Sequence, residues 1–144
     1  MAAKDDPSAM TAPAPYALNA ESVHTLVHSF YRDVRADPDI GPIFDGAIGD
    51  HWDLHLARLV DFWSTVMLGT RSFQGNVFGK HMALDGVRPE HFSIWLGLWK
   101  KHTEQLFAPD VAHELQHVAH GIARNLFRGF FGAFPEALAA EDTA

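Results

Sequence analysis

The chain contains no cysteine. That excludes disulfides, thiolate ligation of a metal and covalent cofactor attachment through Cys-x-x-Cys-His, and it is compatible with a reducing cytoplasm, the expected location. No run approaches the roughly 18 apolar residues of a membrane span, so a soluble protein with no membrane partner is expected. Positive charge is scarce: 11 Lys and Arg face 18 Asp and Glu, a net charge of −7 with His neutral. A chain of this balance offers no electrostatic footprint for nucleic acid or an anionic membrane surface. Neither an internal repeat nor a convincing alternating strand pattern is present.

What the chain does have is aromatic and imidazole side chains: eleven Phe, four Trp, two Tyr and ten His in 144 residues. Flat aromatic walls suit a flat cofactor, although cores use aromatics freely as well. The length suits one domain. Residues 1–18 read as a flexible, Pro- and Ala-rich tail without the apolar run of a signal peptide, residues 19–132 as the folded domain, and 133–144 as a small acidic tail. Asn19 is a good N-cap for a first helix ending before Pro38, with Val23, Leu26, Val27, Phe30 and Val34 in one stripe and Tyr31 at its edge. A turn or short helix over 38–44 follows. The next long helix, about 51–68, aligns Trp52, Leu56, Leu59, Trp63 and Val66, and Gly69 stops it. The stretch 70–88 is irregular, holding three glycines and a short segment ending at His81 and Met82. Pro89 opens a third long helix. The last runs from about Pro109 to Phe131 and is expected to bury Val111, Leu115, Val118, Ile122 and Leu126. The fold class is all-α, and counting helices does not separate a bundle from a globin.

The histidines invite metal-site readings, which the helical face tests. Glu21…His24 and Glu114…His117 match the Glu-x-x-His pattern of di-iron bundles, but at about 100° per residue they fall off the apolar stripes. His113, His117 and His120, and separately His24 and His28, read as solvated surface without the further convergent ligands of a structural zinc site. His81 differs. It sits between apolar neighbours in the glycine-interrupted stretch, and one neutral imidazole held from its own side is what an open-coordinate haem iron requires; a capping or exposed histidine fits the same spacing. His55, Tyr31 and Trp95 are polar-tipped residues beside apolar stripes on three different helices. Taken singly, His55 reads better as a boundary histidine half in solvent, and Tyr31 and Trp95 as side chains bonded to nearby backbone; three donors from three helices favour a shared site.

Taken together and in order, Phe30-Tyr31-Arg32-Asp33-Val34-Arg35, Ile40-Gly41-Pro42-Ile43-Phe44, Trp52-Asp53-Leu54-His55, Phe62-Trp63, Gly79-Lys80-His81 and Phe92-Ser93-Ile94-Trp95-Leu96 resemble the third group of the truncated haemoglobin family. The resemblance covers about residues 19–132. It implies a two-over-two helical sandwich around one non-covalent b-type haem, with His81 as the proximal iron ligand. Tyr31, His55 and Trp95 then line the distal side, Leu59 neighbours the bound ligand, and Phe44 stacks on the porphyrin. Phe78 flanks His81, and Lys80 is placed to meet a haem propionate. In the family the histidine matching His55 swings toward solvent as a gate. The function implied is reversible binding of oxygen, nitric oxide or carbon monoxide, with redox chemistry served by a separate reductase as an extension. Two rivals remain from the residues alone: a cofactor-free helical interaction module, and a haem-based sensor acting on a partner. Oligomeric state is not legible.

Overall fold

The computed structural model describes residues 14–132 apart from 74, 76 and 83, and leaves out the side chains of Val77 and Phe78. The tail expected at 133–144, and the expected N-terminal tail up to residue 13, lie outside the described residues. Those described form six helices and no strand: α1 (Ala20–Ala36), α2 (Gly41–Ile48), α3 (Trp52–Leu68), α4 (Val77–Met82), α5 (Pro89–Leu106) and α6 (Pro109–Phe131).

Local chemistry explains the boundaries. The Asn19 side chain accepts from the Ser22 amide at 2.9 Å, and Ser22 Oγ accepts from the Asn19 amide at 2.9 Å, a reciprocal cap that satisfies two orphan donors of α1. Proline stands in the first turn of both α5 and α6, where its missing N–H costs nothing. Gly69 ends α3 in the left-handed region at φ 71°. Helix α2 runs further than the expected turn over 38–44. It starts against the end of α1, where a Cβ on Gly41 would lie 2.5 Å from the Arg35 carbonyl oxygen, so only glycine allows the approach.

Helix α1 packs on α3 and α5, α5 packs on α6, and α4 and α2 attach to α6 and α1 respectively. The pairs α1/α3 and α5/α6 make the two-over-two sandwich. Its centre is aromatic. Phe30, fully buried, sets its edge to Trp99 at 4.9 Å and to Trp95 at 5.8 Å, while Trp99 stacks on Trp63 at 4.5 Å. The buried Trp99 indole donates to the Leu115 carbonyl at 3.0 Å, which meets the need of an enclosed N–H.

Three expectations are corrected. Helix α6 buries Ala112, Leu115, Ala119, Ala123, Leu126 and Phe127, whereas Val111, Val118 and Ile122 are only half-buried at the flank. Three of the buried positions are alanines, and a stripe drawn through large apolar residues misses that face. The rotation carries His120, expected on the outer side, into the interior. Val66 is 42% exposed, with no covering element among the described residues. His24 and His28 are half-buried and stacked at 3.9 Å, and His28 Nδ1 donates to the His24 carbonyl at 2.9 Å.

A polar clamp joins α1 to α5. His102 is 3% exposed, and its Nε2 donates to Asp33 Oδ2 at 2.7 Å. Burial pushes the Asp33 carboxyl up, but the hydrogen bond and charge of His102, with Lys101 and Arg32, outweigh it and hold the group below its ordinary value. A depressed folded value means the stabilisation is present above the ordinary carboxylate range and is lost as pH falls through the folded value. Asp33→Asn is therefore expected to cost about 1 kcal/mol at neutral pH and to flatten the acid limb of stability measured by urea unfolding. An acid limb identical to the parent's would remove this pair as its source. In the same urea series Gly41→Ala is expected to lose about 1–3 kcal/mol through overpacking; no loss would show that the α1–α2 corner yields freely.

Candidate functional site

All six described helices contribute to one cavity of about 430 Å³. Helix α1 supplies Tyr31, α2 supplies Ile43, Phe44 and Ile48, and α3 supplies His55, Arg58, Leu59 and Phe62. Helix α4 brings Lys80 and His81, α5 brings His91, Phe92 and Trp95, and α6 closes the wall with Ile122, Leu126 and Phe130. Of the residues singled out from the sequence, Tyr31, Phe44, His55, Leu59, Lys80, His81 and Trp95 meet in this one space. The side chain of Phe78 lies outside the described residues.

The site follows from local spacing. His55, Leu59 and Phe62 fall three and four residues apart on α3 and so share a face, with Arg58 on the same side. His91 and Trp95 are likewise one turn apart on α5. Arg58 and His91 were not singled out from the sequence, although their spacing from His55 and Trp95 carried the signal. His81 projects from a six-residue helix whose carbonyl end is tied by the Leu84 amide bonding to the His81 carbonyl at 3.0 Å.

Around Tyr31 the rings interlock. Its ring meets His55 at 6.4 Å and 89°, Phe44 at 5.8 Å and Trp52 at 6.1 Å. Trp52 in turn backs His55 edge-on at 5.7 Å. A bracket missed by the sequence reading holds Trp52: Asp45 Oδ1 accepts from the Trp52 indole at 2.9 Å and from Arg35 Nε at 3.1 Å, and the Arg35 guanidinium lies over the Trp52 ring at 4.4 Å. Three helices, α1, α2 and α3, are fixed by it around the ring that backs His55.

The electrostatics are one-sided. Among the described lining residues there is no Asp or Glu, while Arg58, Lys80 and the imidazoles of His51, His55, His81 and His91 are present. In a chain of net charge −7, this cavity is set for an occupant bearing negative groups and a broad apolar body. The Tyr31 hydroxyl is pushed up to about 12, by burial foremost, with the hydrogen bond from Trp95 acting the other way. It therefore keeps its proton throughout the neutral range. Burial, then the charges of His81 and Arg58, hold His55 below the ordinary imidazole value, which favours its neutral form.

Not every imidazole here is equally able to bind a metal. Nδ1 of His91 accepts from the Arg88 amide at 3.0 Å, so its proton is on Nε2 and that nitrogen has no free lone pair. His51 is exposed at the start of α3. His55 and His81 remain. Among the described residues no three His, Cys, Asp or Glu side chains converge to hold a metal by themselves, a donor set that fits a metal bringing its own equatorial ligands.

No protein-family model matches the chain. A group 3 truncated hemoglobin of Campylobacter jejuni is 34% identical over 109 residues, spanning 74% of this chain and 86% of the relative. The crystal structure of a group III truncated hemoglobin from Campylobacter jejuni superposes with a TM-score of 0.73 at 33% identity, covering 76% of this chain and 89% of that one. The shared fold, the extent of the match and the cavity built by all six helices lead to one assignment: this chain belongs to the group III truncated haemoglobins, globin-type haem proteins that bind diatomic ligands.

Proposed function

We propose that the cavity holds a b-type haem without a covalent bond, that His81 is its proximal iron ligand, and that Tyr31, His55, Leu59 and Trp95 surround a diatomic ligand on the distal side. The observation that carries the reading is the buried Tyr31 hydroxyl, which keeps its proton and lines the same cavity as Trp95, His55 and His81. The absence of cysteine from the chain leaves no thioether attachment, and the donor set accommodates an anionic, flat, apolar group. Phe44 is the aromatic offered to its face, and Lys80 and Arg58 are the cations available to its carboxylates. Bound haem supplies an iron centre with one position open to a small ligand.

The chain's own contribution is a pair of polarised donors. Trp95 favours the Tyr31 oxygen as a donor beside it, which leaves the Tyr31 proton to point toward a ligand. A hydroxyl whose pKa is raised to about 12 stays protonated at neutral pH and donates without giving up its proton. Such a bond to a partly charged acceptor is worth roughly 1.5–3 kcal/mol, about ten- to a hundredfold in affinity, and most of that appears in the release rate. The neutral imidazole of His55, braced by Trp52, lies beside this pair and is the residue placed to admit or block the ligand. Leu59 keeps the remaining wall apolar.

Two measurements test the assignment. Absorption spectra of the reduced, oxygen-exposed and CO-bound protein are expected to show a haem band that His81→Ala loses or shifts; an unchanged spectrum removes His81 as the ligand. In stopped-flow experiments Tyr31→Phe is expected to speed oxygen release about tenfold or more. Trp95→Phe should have a smaller effect, and almost none once Tyr31 is already Phe. Full additivity of the two would mean that Trp95 acts on the ligand directly.

A further inference from the structure

His91 opens α5 with one ring nitrogen already committed. Its Nδ1 accepts from the Arg88 amide at 3.0 Å, the backward half of an N-terminal cap, which fixes the tautomer with the proton on Nε2. The ring is 7% exposed and forms part of the cavity wall. Nε2 is sealed from water and meets no acceptor among the described residues. A buried donor in that state is a defect unless something completes it.

The cavity wall does not complete it. Its described lining offers donors and cations but no carboxylate, and neither the Tyr31 hydroxyl nor any other described group bonds to Nε2. The acceptor must arrive with the occupant. With its four pyrrole nitrogens committed to iron, haem has only its two propionate carboxylates to accept a hydrogen bond. We propose that His91 is a carboxylate-binding residue of this site, its Nε2–H donating to one haem propionate. This rests on the haem reading above. The capping bond fixes the tautomer before the cofactor enters, and the covered Nε2–H meets a propionate once the side chains over it part.

The test compares haemin with haemin dimethyl ester, whose side chains keep a carbonyl oxygen but lose the charge. Release to excess apomyoglobin is followed for the parent, His91→Leu and His91→Gln. Gln offers an amide oxygen to the Arg88 amide and an N–H in place of Nε2. Haemin is expected to leave the Leu variant about tenfold faster than the parent and the Gln variant within about twofold of it. The dimethyl ester should leave the parent and the Leu variant at similar rates. Equal acceleration for both cofactors means a packing role and overturns the proposal, as does no acceleration for either. A measurement on the unmutated protein guards against a Leu variant that does not fold. In the diamagnetic CO form, the His91 Nε2–H proton resonance should lie further downfield with haemin than with the ester, and coincident resonances overturn the proposal. A parent protein that takes up neither cofactor overturns the haem reading, and this inference with it.

Discussion

The contact on which the molecule depends is the insertion of Phe30 between α1 and α5. Its edge meets Trp99 at 4.9 Å and Trp95 at 5.8 Å, and its ring lies 4.7 Å from that of Tyr31 in the next position. One fully buried side chain thus sets the spacing between the helix that carries Tyr31 and the helix that carries Trp95. Trp99, stacked on Trp63, extends the same block into α3. Close-packed interiors resist sub-ångström adjustment, so the separation of two polar groups at the site is inherited from apolar packing beneath them. The His102–Asp33 bond fastens the same two helices further along.

Polar groups in this structure are arranged by what they lack as much as by what they touch. The chain is acidic, yet the described lining of the cavity has no carboxylate. Every ionisable group there is a hydroxyl, an imidazole or a cation. In a partly enclosed space of lowered dielectric, such a lining raises the value of any negative group brought in. It also leaves donors without local acceptors. His91 shows it most clearly: one nitrogen accepts from the Arg88 amide, and the other is left as a donor with no partner among the described residues.

Much of the fold was legible. Asn19, Pro38, Gly69, Pro89 and Pro109 mark helix ends through backbone chemistry that acts within a few residues, and the observed helices begin and end at or beside them. The stretch around α4 read only as irregular with a short segment, because its glycines argue against a long helix; the six-residue helix at Val77–Met82 came from the structure. The face of α6 was not. Its buried face includes Ala112, Ala119 and Ala123, small residues that a stripe of large apolar side chains passes over. His120 was misplaced for that reason, and His102 passed unnoticed because its partner, Asp33, is 69 positions away.

The sequence by itself determined the helical periods, their caps, the absence of thiol chemistry and, through an ordered set of short segments, the family. It also named seven of the residues that line the cavity. Tertiary structure alone decided which groups meet and which donors are left over: Trp95 and Tyr31 on one cavity, the Asp45–Trp52–Arg35 bracket behind His55, and the committed tautomer of His91. Periodicity reports which way a side chain faces along its own helix. Whether it finds an acceptor there depends on groups from other helices, at distances that packing fixes and spacing along the chain does not encode.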